Sequence, residues 1–153
     1  MTTQATERRQ VTVACPMCDQ LNRVDLARIA DGPKCGSCGR PMRLDRPIRL
    51  TDATLDRVVQ DASVPVVVDF YADWCAPCKV MAPVFDELAR ERAGSVLFAK
   101  VDTDRSPQVS MKFGVRNIPT LVVFNNGREV TRQVGAVPKQ ALAQLLDDVA
   151  KGA

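Results

Sequence analysis

The stretch VVVDFYADWCAPCK, residues 66–79, decides the fold because it joins a buried strand to the start of a helix. Its first half is a short run of β-branched and aromatic residues, the pattern of a strand covered on both faces. A long helix is predicted to follow, from near Cys75 to Arg92, and Pro83 inside it is expected to bend it. The sequence therefore predicts that Cys75 and Cys78 lie where this helix begins.

Two cysteines separated by two residues at a helix N-terminus are suited to thiol–disulfide exchange. The unpaired N–H groups and partial positive charge of the helix end stabilise a thiolate, and the spacing allows a disulfide within the first turn. We expect Cys75, at the strand–helix junction, to be the exposed nucleophile, and Cys78, one turn further on, to resolve the mixed disulfide. The alternative, that both are merely small core residues, is disfavoured by the strand-to-helix setting.

The elements on either side of this junction predict an α/β fold. Parallel crossovers in the first half and an antiparallel hairpin in the second give a mixed central sheet with helices on both faces. The hairpin is predicted around an Asn-Gly pair, the strongest short signal for such a turn. The predicted elements are a helix in 51–63, a strand in 96–104, a helix in 106–115, the hairpin in 120–134 and an amphipathic helix in 138–152.

Two further Cys-x-x-Cys pairs, CPMC and CGSC, lie upstream and are separated by sixteen residues. This spacing is typical of structural zinc sites, in which two turns each direct two thiolates at one ion. Four protein ligands leave no position for a substrate, so the zinc is expected to be structural. Two disulfides, four free thiols or an iron site are the alternatives. The predicted ligands are Cys15, Cys18, Cys35 and Cys38.

These patterns divide the chain into three parts. Residues 1–10 are predicted to be a flexible tail, residues 11–45 a Cys₄ zinc-binding module that resembles a zinc ribbon, and residues 46–153 the α/β domain. The module is short and polar, and it has too little apolar material to form a core alone. Metal binding is therefore expected to supply its folding free energy.

Composition excludes several classes of function. The chain has no histidine, which rules out a Cys–His catalytic dyad and any histidine metal ligand. No apolar run is long enough to span a bilayer, and the N-terminus lacks an apolar stretch of signal-peptide length, which predicts a cytoplasmic protein. The net charge of +3 is too small to indicate a nucleic-acid partner.

Across residues 48–152 the chain resembles the thioredoxin family, in six stretches that occur in order: DFYADWCAPCK, APVFDELA, KVDTD, GVRNIPTLVVF, NGREV and VGAVPK. The resemblance implies a thioredoxin fold and a thiol–disulfide oxidoreductase. Such a protein is reduced by a thioredoxin reductase and in turn reduces disulfides in protein substrates. With its upstream cysteine pairs, nearly the whole chain resembles the zinc-containing bacterial members of the family.

The resemblance also implies roles for residues outside the cysteine pair. Asp69 is expected to be a proton acceptor and donor for Cys78, and Lys100 is expected to lie close to Asp69 and tune its pKa. The apolar residues before and after Asp69 favour its burial over the alternative of a strand-edge carboxylate that faces solvent. The Ile118–Pro119 bond is expected to be cis and to face the disulfide. The implied docking surface for substrates consists of Trp74, Ala76, Pro77, Ile118, Pro119, Gly135 and Ala136.

Two departures from the family pattern are Ala76, where glycine is usual, and Tyr71, where tryptophan is common. Neither removes a group that thiol–disulfide exchange needs, but residues between the cysteines tune the reduction potential. We expect a potential near the low value that is general for thioredoxin, about −270 mV. The competing hypotheses are a disulfide oxidase or isomerase of the same fold, and a zinc-ribbon binding module on a thioredoxin scaffold. Oxidation of the zinc thiolates under stress is a further hypothesis.

Overall fold

A computed structural model of the chain describes residues 9–152 and contains a two-stranded and a five-stranded sheet. The strands are β1 (Gln10–Ala14), β2 (Leu21–Asp25), β3 (Ile48–Leu50), β4 (Val66–Tyr71), β5 (Leu97–Asp102), β6 (Thr120–Asn125) and β7 (Arg128–Val134). The helices are a 3₁₀ helix (Leu26–Asp31), α1 (Leu55–Asp61), α2 (Ala76–Glu91), α3 (Pro107–Lys112) and α4 (Lys139–Gly152). From α1 onwards the predicted order of strands and helices is confirmed, whereas β1, β2 and the 3₁₀ helix lie in the N-terminal module, for which no such elements were predicted.

The five-stranded sheet is mixed, as predicted, with the strand order β3-β5-β4-β6-β7. Both β3 and β4 run parallel to β5, whereas β6 runs antiparallel to β4 and β7 antiparallel to β6. The β6–β7 turn contains Asn126 and Gly127, both with positive φ (56° and 79°). Asparagine and glycine are the residues that adopt this conformation most readily, which is why the pair predicted the hairpin.

The two faces of the sheet are buried in different clusters, and β4 contributes to both because its side chains alternate. Val66, Val68 and Phe70 pack in the larger cluster, with residues of α1 and α3. Val67 packs in the other cluster, with residues of α2 and α4. By the same alternation Asp69 and Tyr71 lie on the α2 side of the sheet, where the cysteine pair begins its helix.

The N-terminal module does not stand apart from the α/β domain. Its β1–β2 hairpin contributes apolar side chains to the same buried cluster as α1, including Val11 and Val13, which are at most 1% exposed. At the end of α1, the backbone N–H of Ser63 donates to the carbonyl oxygen of Gln10 (2.9 Å), and the N–H of Gln10 donates to Ser63 Oγ (2.8 Å). The module therefore shares its core with the domain, in place of the core that its own sequence cannot form.

Two boundaries differ from those expected. The first strand begins at Gln10, inside the segment predicted to be a tail, while residues 1–8 of that segment lie outside the described residues. The helix α2 ends at Glu91, and Arg92 is its C-cap with a non-helical conformation. Within residues 9–152, none of the helices combines the length and the apolar character needed to cross a membrane.

Candidate redox site and metal cluster

The cysteine pair lies at the start of α2, as predicted. Cys75 is the N-cap of the helix, and the backbone N–H of Cys78 donates to Cys75 Sγ at 3.2 Å. The two residues form a disulfide, with Cα atoms 5.3 Å apart. The sulfur that caps the helix is thus held by the N–H groups that would stabilise it as a thiolate.

The expected difference in exposure between the two cysteines is wrong for the disulfide form. Cys75 and Cys78 are each only 4% exposed. Ile118 packs against the pair and its carbonyl oxygen lies 3.7 Å from Cys75 Sγ, which explains why Cys75 is covered. What distinguishes Cys75 is its position as helix cap beside the Ile118 carbonyl, and not its solvent exposure.

The cis-proline loop lies beside the disulfide. The Ile118–Pro119 bond is cis, as the family resemblance implied, and the N–H of Gly135 donates to the carbonyl oxygen of Pro119 at 2.8 Å. The contact between the Ile118 carbonyl and Cys75, together with this hydrogen bond, links the loop before β6 and the residue after β7 to the cysteine pair. Of the predicted docking residues, Trp74, Ala76, Pro77 and Ala136 are exposed, Ile118 and Gly135 are half-buried, and Pro119 is buried.

Trp74 is 70% exposed, yet one edge of its ring is fixed. Its Nε1 donates to Asp104 Oδ2 at 3.0 Å. Asp104 was not among the predicted site residues. The parallel pairing of β4 and β5 could have indicated it, because Trp74 and Asp104 follow the carboxyl ends of these two neighbouring strands.

Asp69 is buried, as predicted, and the alternative of a solvent-facing strand-edge carboxylate is wrong. It is 1% exposed, and its Oδ1 has no hydrogen-bond partner among the described residues. Burial raises the pKa of the Asp69 carboxyl from 3.8 to about 7, with Lys100 opposing the rise and Asp86 adding to it. A carboxyl with a pKa near neutrality is suited to exchanging protons at physiological pH.

Lys100 is the strand neighbour of Asp69 in the parallel β4–β5 ladder. Its ammonium group, however, lies over the ring of Tyr71, 4.6 Å from the ring centroid. No ion pair within 4.0 Å joins it to Asp69 in the part of the chain that the structure describes. The structure thus places Lys100 near Asp69, as expected, but with an aromatic ring as its direct contact.

The four upstream cysteines converge on one point. Their sulfur atoms all lie within 4.8 Å of one another, with Cys15 Sγ 3.7 Å from Cys38 Sγ and Cys18 Sγ 3.6 Å from Cys35 Sγ. A tetrahedral site with Zn–S bonds of about 2.3 Å has sulfur atoms about 3.8 Å apart. The donor set and its spacing therefore fit a zinc ion held by four thiolates.

The two Cys-x-x-Cys turns have the same backbone structure. In each, the residue after the second cysteine donates its N–H to the carbonyl of the first at 2.9 Å: Asp19 to Cys15, and Gly39 to Cys35. Asp19 and Gly39 both have positive φ, 65° and 76°. Glycine adopts a positive φ without strain, but nothing in the sequence indicated that an aspartate takes the matching position in the first turn.

Asn22 on β2 contacts the second Cys-x-x-Cys turn. Its Nδ2 donates to Cys35 Sγ at 3.4 Å, and its Oδ1 accepts from the N–H of Gly36 at 2.8 Å. The N–H groups of Met17 and Ser37 point at Cys15 Sγ and Cys35 Sγ, at 3.4 and 3.3 Å. Donors of this kind orient metal-bound thiolates and offset their negative charge.

The shared backbone structure predicts opposite effects for two substitutions. Asp19→Gly is expected to tighten metal binding about 3- to 5-fold, and Gly39→Ala to weaken it by a similar factor. The reason is that a side chain at positive φ costs on the order of 1 kcal/mol. Competition with a chelator for the metal measures the metal affinity of both variants.

Gly36→Ala is the matched control for these two variants. Gly36 lies in the same turn as Gly39 but has no positive φ, and an added Cβ would meet Asn22 Oδ1 at an ordinary contact distance of 3.6 Å. Equal losses of affinity in Gly36→Ala and Gly39→Ala would contradict the backbone argument.

Comparisons with known proteins agree with this arrangement. The thioredoxin family model matches residues 46–148, and a second model, described as the N-terminal part of thioredoxin 2, matches residues 14–40. Thioredoxin C-3 from Corynebacterium nephridii is 39% identical over 135 residues, which cover 88% of this chain and 92% of that protein. Thioredoxin 1 from a Nostoc species is 48% identical over 99 residues, which cover 65% of this chain and 92% of that protein.

Among solved structures, a mutant thioredoxin from Halobacterium salinarum aligns with a TM-score of 0.65 and 35% sequence identity, covering 72% of this chain and 96% of that one. The family matches and the redox-active cysteine pair support one function. The chain therefore belongs to the thioredoxin family as a thiol–disulfide oxidoreductase that reduces disulfides, and it carries the N-terminal zinc-ribbon module of thioredoxin 2.

Proposed function

We propose that Cys75 is the nucleophile, that Cys78 is the resolving thiol and that Asp69 exchanges the Cys78 proton. The observation that carries this proposal is the position of Cys75 as N-cap of α2, where the N–H of Cys78 is directed at its sulfur. A thiolate at that position is stabilised by the helix end, so it is the cysteine that attacks first.

The two cysteines, Asp69 and the substrate disulfide account for every electron and proton in the exchange. The Cys75 thiolate attacks one sulfur of the substrate disulfide, which breaks that bond, forms a mixed disulfide and releases the first substrate thiolate. The Asp69 carboxylate accepts the proton of Cys78, whose thiolate then attacks Cys75 Sγ. The second substrate thiolate leaves, Cys75–Cys78 becomes oxidised, and two electrons have passed to the substrate.

We infer that substrates and the electron donor use the same surface. The disulfide is only 4% exposed, but exposed side chains surround it, notably Trp74, Ala76 and Pro77. A flat apolar rim beside a covered disulfide favours a partner that lies across the site. The oxidised pair needs a two-electron reductant, for which we propose a thioredoxin reductase, and disulfide-containing proteins are the substrates.

Asp69→Asn is expected to raise the free energy of unfolding at pH 8 by about 2–4 kcal/mol and to leave it nearly unchanged at pH 4. The folded-state pKa of Asp69 is raised from 3.8 to about 7, so the folded protein binds this proton more tightly than the unfolded chain. Stability from this group is therefore full below pH 3.8 and is lost as the pH rises towards 7. Each pKa unit corresponds to about 1.4 kcal/mol.

Urea unfolding of the oxidised protein between pH 4 and pH 8.5 measures this effect. Asp148→Asn is the matched control, because Asp148 is an exposed aspartate on α4 and is not among the charges that act on Asp69. A stability difference between Asp69→Asn and the unaltered protein that does not change with pH would contradict the assignment of a raised pKa to Asp69.

We propose that the four upstream cysteines hold one structural zinc ion. Their sulfur spacing fits a tetrahedral site, and Cys15 and Cys35 are buried while Cys18 and Cys38 are exposed. Bound zinc would cross-link the two turns and offset two of the four thiolate charges. Cysteine clusters in a reducing compartment are more often metal sites than disulfides, and with the zinc assignment we propose a cytoplasmic location.

Elemental analysis of the purified protein is expected to find one equivalent of zinc per chain. Met17→Ser is expected to keep that equivalent, because Met17 lies inside the first turn without contributing a ligand, whereas Cys35→Ser is expected to lose most of it. Less than about half an equivalent of zinc in the unaltered protein, with no other metal present, would contradict the proposal.

A further inference from the structure

The strand geometry gives the Lys100 side chain two possible partners. Asp69 and Tyr71 are two residues apart on β4 and so lie on the same face of the sheet. Lys100 on β5 is the register neighbour of Asp69, and Phe98, two residues before Lys100, packs on that same face. The ammonium group can therefore reach either the Asp69 carboxylate or the aromatic ring of Tyr71.

In the structure the Lys100 ammonium group lies at the Tyr71 ring. Lys100 Nζ lies 4.6 Å from the Tyr71 ring centroid, within the range of a cation–π contact. Asp69 Oδ1 is buried without a hydrogen-bond partner among residues 9–152. An ammonium group that entered this buried site to pair with Asp69 would lose water on every side, whereas over the ring it keeps one solvated side.

The solvated side is a polar groove. Lys100 lines a groove of about 420 Å³ together with groups from two other segments. Asp86 and Arg90 come from α2, and Asp45 and Arg46 come from the segment that leads out of the cysteine module. The charged groups that act on Tyr71 itself are Asp102, Arg49, Asp73 and Asp69. The Lys100 ammonium thus has water and mixed charges on one side and the ring on the other.

We propose that Tyr71 is a positioning residue that holds the Lys100 ammonium over its ring and out of ion-pair contact with Asp69. Without the ring, no cation–π contact opposes the attraction between the two charges, and we expect the Lys100 ammonium to move towards the Asp69 carboxylate and to stabilise its charged form. With the ring in place, Asp69 remains without a direct cationic partner and titrates near neutrality, which its burial favours. The inference rests on the proposed proton exchange at Asp69. It assigns to Tyr71 the role of keeping the Asp69 pKa near neutrality.

The contact itself is tested first, in the unaltered protein. Protons on Lys100 Cε that lie over an aromatic face are shifted upfield in the NMR spectrum by the ring current. We expect such a shift in unaltered protein and in Tyr71→Phe, and its loss in Tyr71→Leu. Lys100 Cε protons at the position of a solvated lysine in the unaltered protein would overturn the proposal, without any need for a variant to fold.

The consequence is tested by titrating the Asp69 carboxyl carbon by NMR. Tyr71→Leu is expected to lower the Asp69 pKa by about one unit, because an opposite charge within about 4–6 Å lowers it by 1–3. Tyr71→Phe, which keeps the ring, is expected to leave it unchanged. In a Lys100→Met background Tyr71→Leu is expected to have no such effect. An unchanged Asp69 pKa in Tyr71→Leu, or the same decrease in the double variant, would overturn the proposal.

This titration is independent of catalysis, which separates the inference from the proposed function. If Asp69→Asn reduces disulfides at the unaltered rate across the pH range, the proton-exchange role fails. The decrease in Asp69 pKa in Tyr71→Leu would still support the positioning role. If the proton-exchange role of Asp69 and the positioning role of Tyr71 both hold, the pH profile of disulfide reduction is expected to move to lower pH in Tyr71→Leu. In Tyr71→Phe it is expected to keep its position.

Discussion

Cys75→Ser is expected to lower the rate of disulfide reduction by roughly 10³-fold or more, because removing a nucleophile removes the step on which the others depend. A serine hydroxyl at the helix N-cap still accepts the N–H of Cys78 but does not ionise near neutral pH. Cys78→Ser is expected to attack substrates and then stop, so that a mixed disulfide with Cys75 accumulates. Mass spectrometry of the trapped adduct identifies which cysteine is bonded to the substrate.

Ala76→Gly is the control for both cysteine variants, because it keeps both thiols and changes only the residue between them. We expect it to retain reduction within a few-fold. Accumulation of the adduct on Cys78 in the Cys75→Ser variant, with none on Cys75 in Cys78→Ser, would reverse the assigned order of attack.

Cys15→Ser is expected to release the metal, unfold the N-terminal module and lower the thermal stability of the whole protein. The last effect follows from the shared core, since Val11, Val13 and Leu26 pack in the same cluster as Leu55 and Val58 of α1. Burying a large apolar side chain contributes about 1.5–3 kcal/mol. Losing several such contacts together is expected to lower the free energy of unfolding by at least about 3 kcal/mol.

Disulfide reduction at 25 °C is expected to survive this loss within a few-fold, because every group assigned to the exchange lies after residue 46. The Nostoc relative, matched over 92% of its length by 65% of this chain, shows that a thioredoxin domain occurs without the module. Calorimetry and a reduction assay on Cys15→Ser and on Met17→Ser separate the two effects. An unchanged melting temperature after metal loss would contradict the shared core.

The sequence predicted the elements of the fold well where the signal is local. The continuous apolar run before Cys75 indicated a central strand, and Asn126-Gly127 indicated a hairpin. Burial of Asp69 followed from its apolar neighbours on β4. These features depend on residues a few positions apart, so a single sequence is enough to find them.

Features that depend on contacts between distant segments were not predictable in this way. The module's apolar side chains are scattered, and only the folded chain shows that they pack on α1. The contact of Lys100 with Tyr71 required the β4–β5 register. Asn22 at Cys35 and Asp104 at Trp74 are ordinary polar residues that become relevant only through their distances of 3.4 and 3.0 Å.

The most direct test of the central claim is the midpoint potential of the Cys75–Cys78 couple, measured with the metal bound. As a reductant of protein disulfides, the protein is expected to show a value near that ordinarily given for thioredoxin, about −270 mV. A value of about −120 to −180 mV would mark it as an oxidant or isomerase and would contradict both the assigned direction of electron flow and the proposed reductase partner.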